Sequence, residues 1–485
     1  MRASPVKRAF PRGAPRARLL RVGVGLMVGA VVALCGAPGS SRLGWGVARA
    51  NNGIPGSLGV LLPLDKPQEI GLATTFGLIL SDDGGQSWVW TCEQTATSMA
   101  NVYTVGAPPA DRFYALSLVT GLSFSDDESC GWQRAGGALA GQTVSDFFTD
   151  ASDPMHVLAA ATPVPDGGGA ALAAVYASTD GGATFGATPL YVAPAGASIV
   201  GIEIARSDPQ VIYLTYVTVT STGYDPFLVR SADGGQSWTP IDLLPSLGST
   251  IVRILAVDSA QSDLVYLRAS ATAAETLAVT RDGGMTFATP LTIQNGALSA
   301  FARLASGTVL VGALVNLPGG GGGTMGTGYR STDGAMTFSP WALDPQPHLV
   351  GLGERVVAGR STLYLSGKNY SDGWALAIST DEGVTVTPVM SYDQVAGIKP
   401  CVQQVCFDNC NFQEAQAIWD TSVCTGVDGG PADGGTRAPA SSGCHCATAS
   451  AGPTPGAGLA GLLLVAGAAA TCRRRRRDPA RPAAS

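Results

Sequence analysis

From about residue 51 to residue 400 the chain alternates short apolar runs with clusters of Gly, Pro, Asp and Ser, and no stretch carries apolar residues at helical spacing over a useful length. The pattern predicts many short strands. The clearest unit runs from about Ser198 to Leu244, where IVGIEIA, VIYLTYVTV, PFLVRSAD and SWTPIDLL supply four strands and Ser207-Asp208-Pro209 breaks the first from the second. The same turn stands at Ser152-Asp153-Pro154 one unit earlier and, more loosely, as Gln261-Ser262-Asp263 one unit later. Recurrence of such units predicts an all-β chain of repeated four-stranded antiparallel sheets.

A second landmark fixes the repeat. An eight-residue phrase, SxDxGx[ST][WF], begins at Ser81, Ser125, Ser178, Ser231, Thr280, Ser331 and Ser379, at intervals of 44 to 53 residues. Its aspartates are Asp83, Asp127, Asp180, Asp233, Asp282, Asp333 and Asp381. An Asp ahead of Gly-Gly puts a carboxylate that accepts backbone N–H bonds beside residues free to take positive φ, which suits a tight hairpin. The aromatic that follows starts the return strand and plugs the space beside the turn, as Trp88, Trp132, Trp238, Phe185, Phe287 and Phe338 are placed to do. The second phrase has Ser129 and Gly131 where the pattern wants Gly and a hydroxyl, and the seventh ends in Val386.

These copies resemble the Asp-box, or BNR repeat, of sialidases, sortilin-type receptors and xyloglucan hydrolases. The resemblance covers residues 51–398 and implies a seven-bladed β-propeller of four-stranded antiparallel blades, six blades being the alternative, with each box joining the outer two strands away from the central binding face. A period of this length means one supersecondary unit per repeat, buried against its neighbours.

Both ends read as targeting segments. Residues 1–50 carry nine Lys or Arg and no acid, an apolar run from Val22 to Leu34 and a small-residue site at Ala48-Arg49-Ala50, the marks of a signal peptide. At the other end a sixteen-residue uncharged stretch, Ala457 to Cys472, precedes Arg473 to Arg477. Residues 453–485 thus read as a C-terminal membrane helix with its arginines on the cytoplasmic side. With Cys444 and Cys446 upstream, this order resembles the MYXO-CTERM class of sorting signals, which implies processing by a sorting protease and display at the outer cell surface; a plain tail anchor is the alternative. Residues 427–452 form a Gly- and Pro-rich linker. With nine basic residues removed from one end, and six basic residues and Asp478 from the other, 15 basic residues face 35 acidic ones, a balance of −20. Such a field repels nucleic acid and anionic polysaccharide and leaves proteins and neutral glycans as partners.

Trimming the ends leaves eight of ten cysteines. The chemistry expected of them is disulfide formation: Cys92 with Cys130, in neighbouring blades, and Cys401, Cys406, Cys410 and Cys424 among themselves, in any of three pairings, as a small Cys-rich module over 399–426. Their spacing fits no zinc motif and no His stands among them.

Catalytic machinery is not evident. The Arg-Ile-Pro phrase of sialidases is absent, and Arg230, Arg281 and Arg330 lie in or beside boxes. Asp146, Asp150, Glu203, Asp258, Glu354 and Asp372 are the acids a glycoside hydrolase would draw on, but no spacing distinguishes a pair. His156 and His348 are nearly 200 residues apart. Asp82-Asp83 and Asp126-Asp127-Glu128 lack the ligand rhythm of a calcium loop, so no metal or cofactor is expected. The residues predict a non-enzymatic, exported binding or scaffold protein, with a glycoside hydrolase as the alternative.

Overall fold

The computed structural model describes residues 55–96, 102–163, 172–318 and 323–425. The segments read as signal peptide, linker and sorting tail, with Cys444 and Cys446, lie outside the described residues. No helix among the described residues is long and apolar enough to cross a membrane.

The described chain is mostly β, with seven successive meanders of four antiparallel strands and one short parallel pair, Gly136–Gly137 with Thr184–Phe185, between the second and third. The fourth shows the plan: Ala197–Ile204, Ile212–Thr220, Gly223–Ser231 and Thr239–Asp242 pair in chain order, where the apolar runs place them. The sheets begin with Ser57–Leu61, Val102–Val105, Thr143–Thr149, Ala197–Ile204, Ile251–Val257, Gly296–Arg303 and Gly351–Val357. These first strands pack side by side in succession at several junctions, and that of the seventh sheet packs on that of the first. The approach is close: a Cβ on Gly351 would stand 2.8 Å from the Cα of Gly59.

The fourth strand of the seventh sheet, Thr387–Met390, directly follows the seventh box, so the chain does not use the N-terminal strand to finish that sheet. Instead Gly397–Ile398 adds a fifth, parallel strand outside Val89–Cys92 of the first sheet. Beyond it, residues 399–425 form a helix, Gln403–Ala415, and short turns whose apolar side chains do not stand apart from the sheets. Ile398, Val402, Ile418 and Val423 share one core with Phe76, Trp90 and Tyr392, and the Trp419 and Trp90 ring centroids are 4.9 Å apart.

The disulfides correct the expected pairing. Cys92 bonds Cys406, Cys130 bonds Cys401, and only Cys410 and Cys424 pair within the C-terminal group. The hydroxyls of Thr91 and Ser129, which adjoin Cys92 and Cys130, bond at 2.7 Å, so the two cysteines lie in one neighbourhood, but each takes its partner from the C-terminal segment. A disulfide needs Cα atoms about 4.4 to 6.8 Å apart, and the C-terminal segment is what brings partners to 5.4 and 5.5 Å.

Candidate functional site

All seven box aspartates sit in the turn between the third and fourth strands of their sheets. In the fourth box the Ser231 hydroxyl donates to Asp233 Oδ1 at 2.8 Å and accepts from the Gly235 N–H, while the Ser237 N–H and hydroxyl donate to Asp233 Oδ1 and Oδ2. The same scheme recurs around Asp83, Asp180, Asp282, Asp333 and Asp381. Asp127 keeps the Ser125 hydroxyl and the Gly131 N–H but has no hydroxyl partner at position 131. Accepted hydrogen bonds stabilise the ionised form. The Ser237 bonds hold Asp233 at about 2, the Thr286 bonds do the same for Asp282 and the Thr385 bonds for Asp381. Two successive residues are left-handed in the turn, Gly234 and Gly235 at φ 68° and 88°, and Glu128 with Ser129, at 53° and 77°, adopt the same backbone without glycine. Of the following aromatics, Trp88 and Phe185 are buried and the rest half-buried. Asp83 and Asp127 are engaged within their turns, as a satisfied hairpin requires.

Sequence reasoning missed how neighbouring sheets lock these turns. A cation from one sheet donates to a carbonyl of the next box: Arg112 to Gly181 O at 2.6 Å, Arg281 to Gly334 O, and Arg330 to Glu382 O at 2.8 Å. Lys399 does so for Glu128 O at 2.8 Å. The signal was in view, because Arg330 directly precedes its box and Arg281 is inside one.

The first strands carry the second set of candidates. Five of the seven contain a β-bulge at a corresponding place, at Leu58, Ser145, Val200, Leu255 and Ser299. A bulge resets the alternation of faces. Thus Ile199 is buried, and so is Ile202 three positions on, while Glu203 between Ile202 and Ile204 turns to the other side. A first strand is a sheet edge with unpaired N–H groups, and carboxylates of adjacent sheets satisfy them. Asp146 Oδ2 accepts from Ile202 N at 2.9 Å and Glu203 Oε1 from Val257 N at 2.7 Å, while Glu354 Oε2 accepts from Ala305 N at 2.7 Å in the turn after the strand Gly296–Arg303. Glu275, which the sequence did not single out, accepts from Leu298 N at 2.7 Å and pairs with Arg268.

The remaining candidates are separate. Asp258 pairs with Arg303 Nε at 2.7 Å; Asp150 bonds Ser152 and His156; Asp372 bonds the Lys368 N–H and both the N–H and Nδ1 of His348. Against the upward push of burial, the His156 and Ser152 bonds hold Asp150 down at about 2. Burial pushes Asp146 up to about 7 and Glu203 up to about 8, outweighing the N–H bonds each accepts. Among the described residues no three His, Cys, Asp or Glu side chains converge as a metal-binding group.

A cavity of about 350 Å³ opens where the first strands of the first five sheets end. Leu62, Phe148 and Val257 give it apolar wall, Thr104 and Thr149 hydroxyls, and Glu203 and Arg206 its charge.

No protein-family model matches the chain, and no curated protein matches it. Solved structures that resemble it include a xyloglucanase from Xanthomonas campestris, 15% identical over 67% of this chain and 76% of that one, with a TM-score of 0.33. A puromycin-hydrolysing peptidase of Mycobacterium tuberculosis is 12% identical over 74% and 56%, with a TM-score of 0.48. A Hadza microbial sialidase is 12% identical over 65% and 74%, with a TM-score of 0.39.

Proposed function

We propose that the chain is a closed seven-bladed Asp-box propeller, exported and held at the cell envelope, that binds a protein segment or a neutral glycan without catalysing a reaction. The observation that carries this reading is the engagement of all six candidate carboxyl groups by fixed structural partners, four of them through backbone N–H groups of other strands or loops. A carboxyl group that closes a sheet edge is committed to the fold, and moving it leaves a backbone N–H without its acceptor. The cavity of about 350 Å³, with apolar wall and hydroxyls, has the size and mixed lining of a ligand pocket. Three disulfides fit folding in an oxidising compartment, in keeping with the leader and tail read from the sequence. In this reading the C-terminal helix holds the chain in the membrane until a sorting protease processes it.

A glycoside hydrolase is the second reading, favoured by one observation: Asp146 and Glu203, on neighbouring first strands, both titrate far above ordinary carboxyls, and Glu203 lines the cavity. The two readings separate on a glycan array run beside a reducing-sugar assay. Binding without sugar release, weakened by Phe148→Ala, supports the binding protein. Release that Glu203→Gln abolishes overturns it in favour of the hydrolase.

A further inference from the structure

We propose that Asp65 and Asp111 form a divalent-cation site, suited to calcium, which ties together the loops that follow the first strands of the first and second sheets. Asp111 is 6% exposed, and neither of its carboxylate oxygens has a hydrogen-bond partner. Its backbone is left-handed at φ 43°, a conformation that disfavours side chains, and its N–H bonds Ala107 O at 3.3 Å, so the loop holds the carboxylate in place. The side chain within hydrogen-bonding reach is another carboxylate, Asp65, which is exposed and opens the site to solvent. The neighbouring ammonium of Lys66 is taken up at 3.2 Å by Glu69 and at 3.4 Å by Glu128.

A buried, unpartnered carboxylate facing a second one is costly unless something positive lies between them. One shared proton satisfies a single oxygen–oxygen contact. A hard divalent cation takes up both carboxylates at once and completes its shell with loop carbonyls and water, which is how calcium is held. Leu64, Gly106 and Ala107, beside the two acids, line the cavity of about 350 Å³, so the cation would fix one side of its rim.

Thermal melts of the full secreted chain in EDTA, in about 10 mM calcium chloride and in magnesium chloride test the site, because extracellular calcium modules bind with dissociation constants of about 0.1 to 1 mM. Calcium is expected to raise the melting temperature by about 2 to 5 °C, with a smaller effect of magnesium. Asp65→Asn and Asp111→Asn are each expected to abolish the shift. Asp111→Asn is expected to melt no lower than the parent in EDTA, since it removes the repulsion and keeps the shape. A parent chain that does not respond to calcium, as a shared proton would leave it, overturns the proposal. So does an unchanged calcium shift in both variants, which would place the cation elsewhere.

Discussion

The carbonyl of Trp88 accepts a hydrogen bond at 2.8 Å from the N–H of Ala396, so the chain leaving the seventh sheet runs along the outer strand of the first. Two further bonds repeat the arrangement where the chain leaves the second sheet: Gly136 N–H donates to Ala183 O and Ala138 N–H to Phe185 O, alongside the third box. Residues 396–399 therefore treat the first sheet as the next in series. The ends of the repeat are joined by the same contact that elsewhere joins neighbours.

Two disulfides fasten that joint. Cys92–Cys406 and Cys130–Cys401 close sequence separations of 314 and 271 residues, the geometry in which a cross-link restricts the unfolded chain most. Cys406→Ser is expected to lower unfolding stability by about 2 to 4 kcal/mol, read by guanidinium denaturation. Cys410→Ser, which breaks a separation of 14, is expected to cost less.

The boxes differ in one hydrogen bond, and that bond is measurable. Asp180 accepts from the Ser178 hydroxyl, the Thr184 N–H and the Thr184 hydroxyl, whereas Asp127 lacks the last. Asp180→Ala is expected to destabilise by about 1 to 3 kcal/mol and Asp127→Ala by about 1 kcal/mol less. Equal costs in urea melts would show that the hydroxyl bond contributes nothing.

Cross-sheet cations contribute a smaller amount. Arg330 reaches Glu382 twice, Nη1 to the carbonyl at 2.8 Å and Nη2 to the carboxylate at 3.0 Å, with both partners partly exposed. Arg330→Met is expected to cost about 1 kcal/mol, and Arg330→Lys less, since lysine replaces the charge but not the fork. Urea denaturation at low and high salt checks both, with the gap between the variants narrowing at high salt.

Stability should fall on both sides of a weakly acidic optimum. Box carboxylates such as Asp233 and Asp282 are held near 2 against an ordinary 3.8, so their contribution is complete above about 4 and disappears as the pH drops toward 2. Glu203 goes the other way. Burial lifts it from 4.5 to about 8, so the folded chain keeps a proton the unfolded chain has released, and stability declines as pH rises from about 4.5 to 8. Glu203→Gln keeps an acceptor for Val257 N and removes the titration. Its melting temperature is expected to exceed the parent's at pH 8 and match it at pH 5; an unchanged gap between the two pH values would absolve Glu203.

Local chemistry was legible because it is written in adjacent residues. The eight-residue phrase contains every atom of its own turn, from the Ser231 hydroxyl to the Ser237 N–H, so its recurrence predicted hairpins and, through spacing, four-stranded units. The strands of the fourth unit lie where the apolar runs put them. The bulges were half visible, since Ile199 and Ile202 break the alternation of a plain strand.

What the sequence determined by itself is thus the turn and the period: hydrogen bonds that close within eight residues, and apolar runs whose length suits one strand. Tertiary structure alone decided that Cys92 meets Cys406 and not Cys130, that Asp146 and Glu203 close the edges of neighbouring strands, and that Asp65 faces Asp111. The physical reason is distance along the chain. A partner 46 or 314 residues away is chosen by how sheets stack and where the chain returns, and nothing in the spacing of the residues themselves encodes that return.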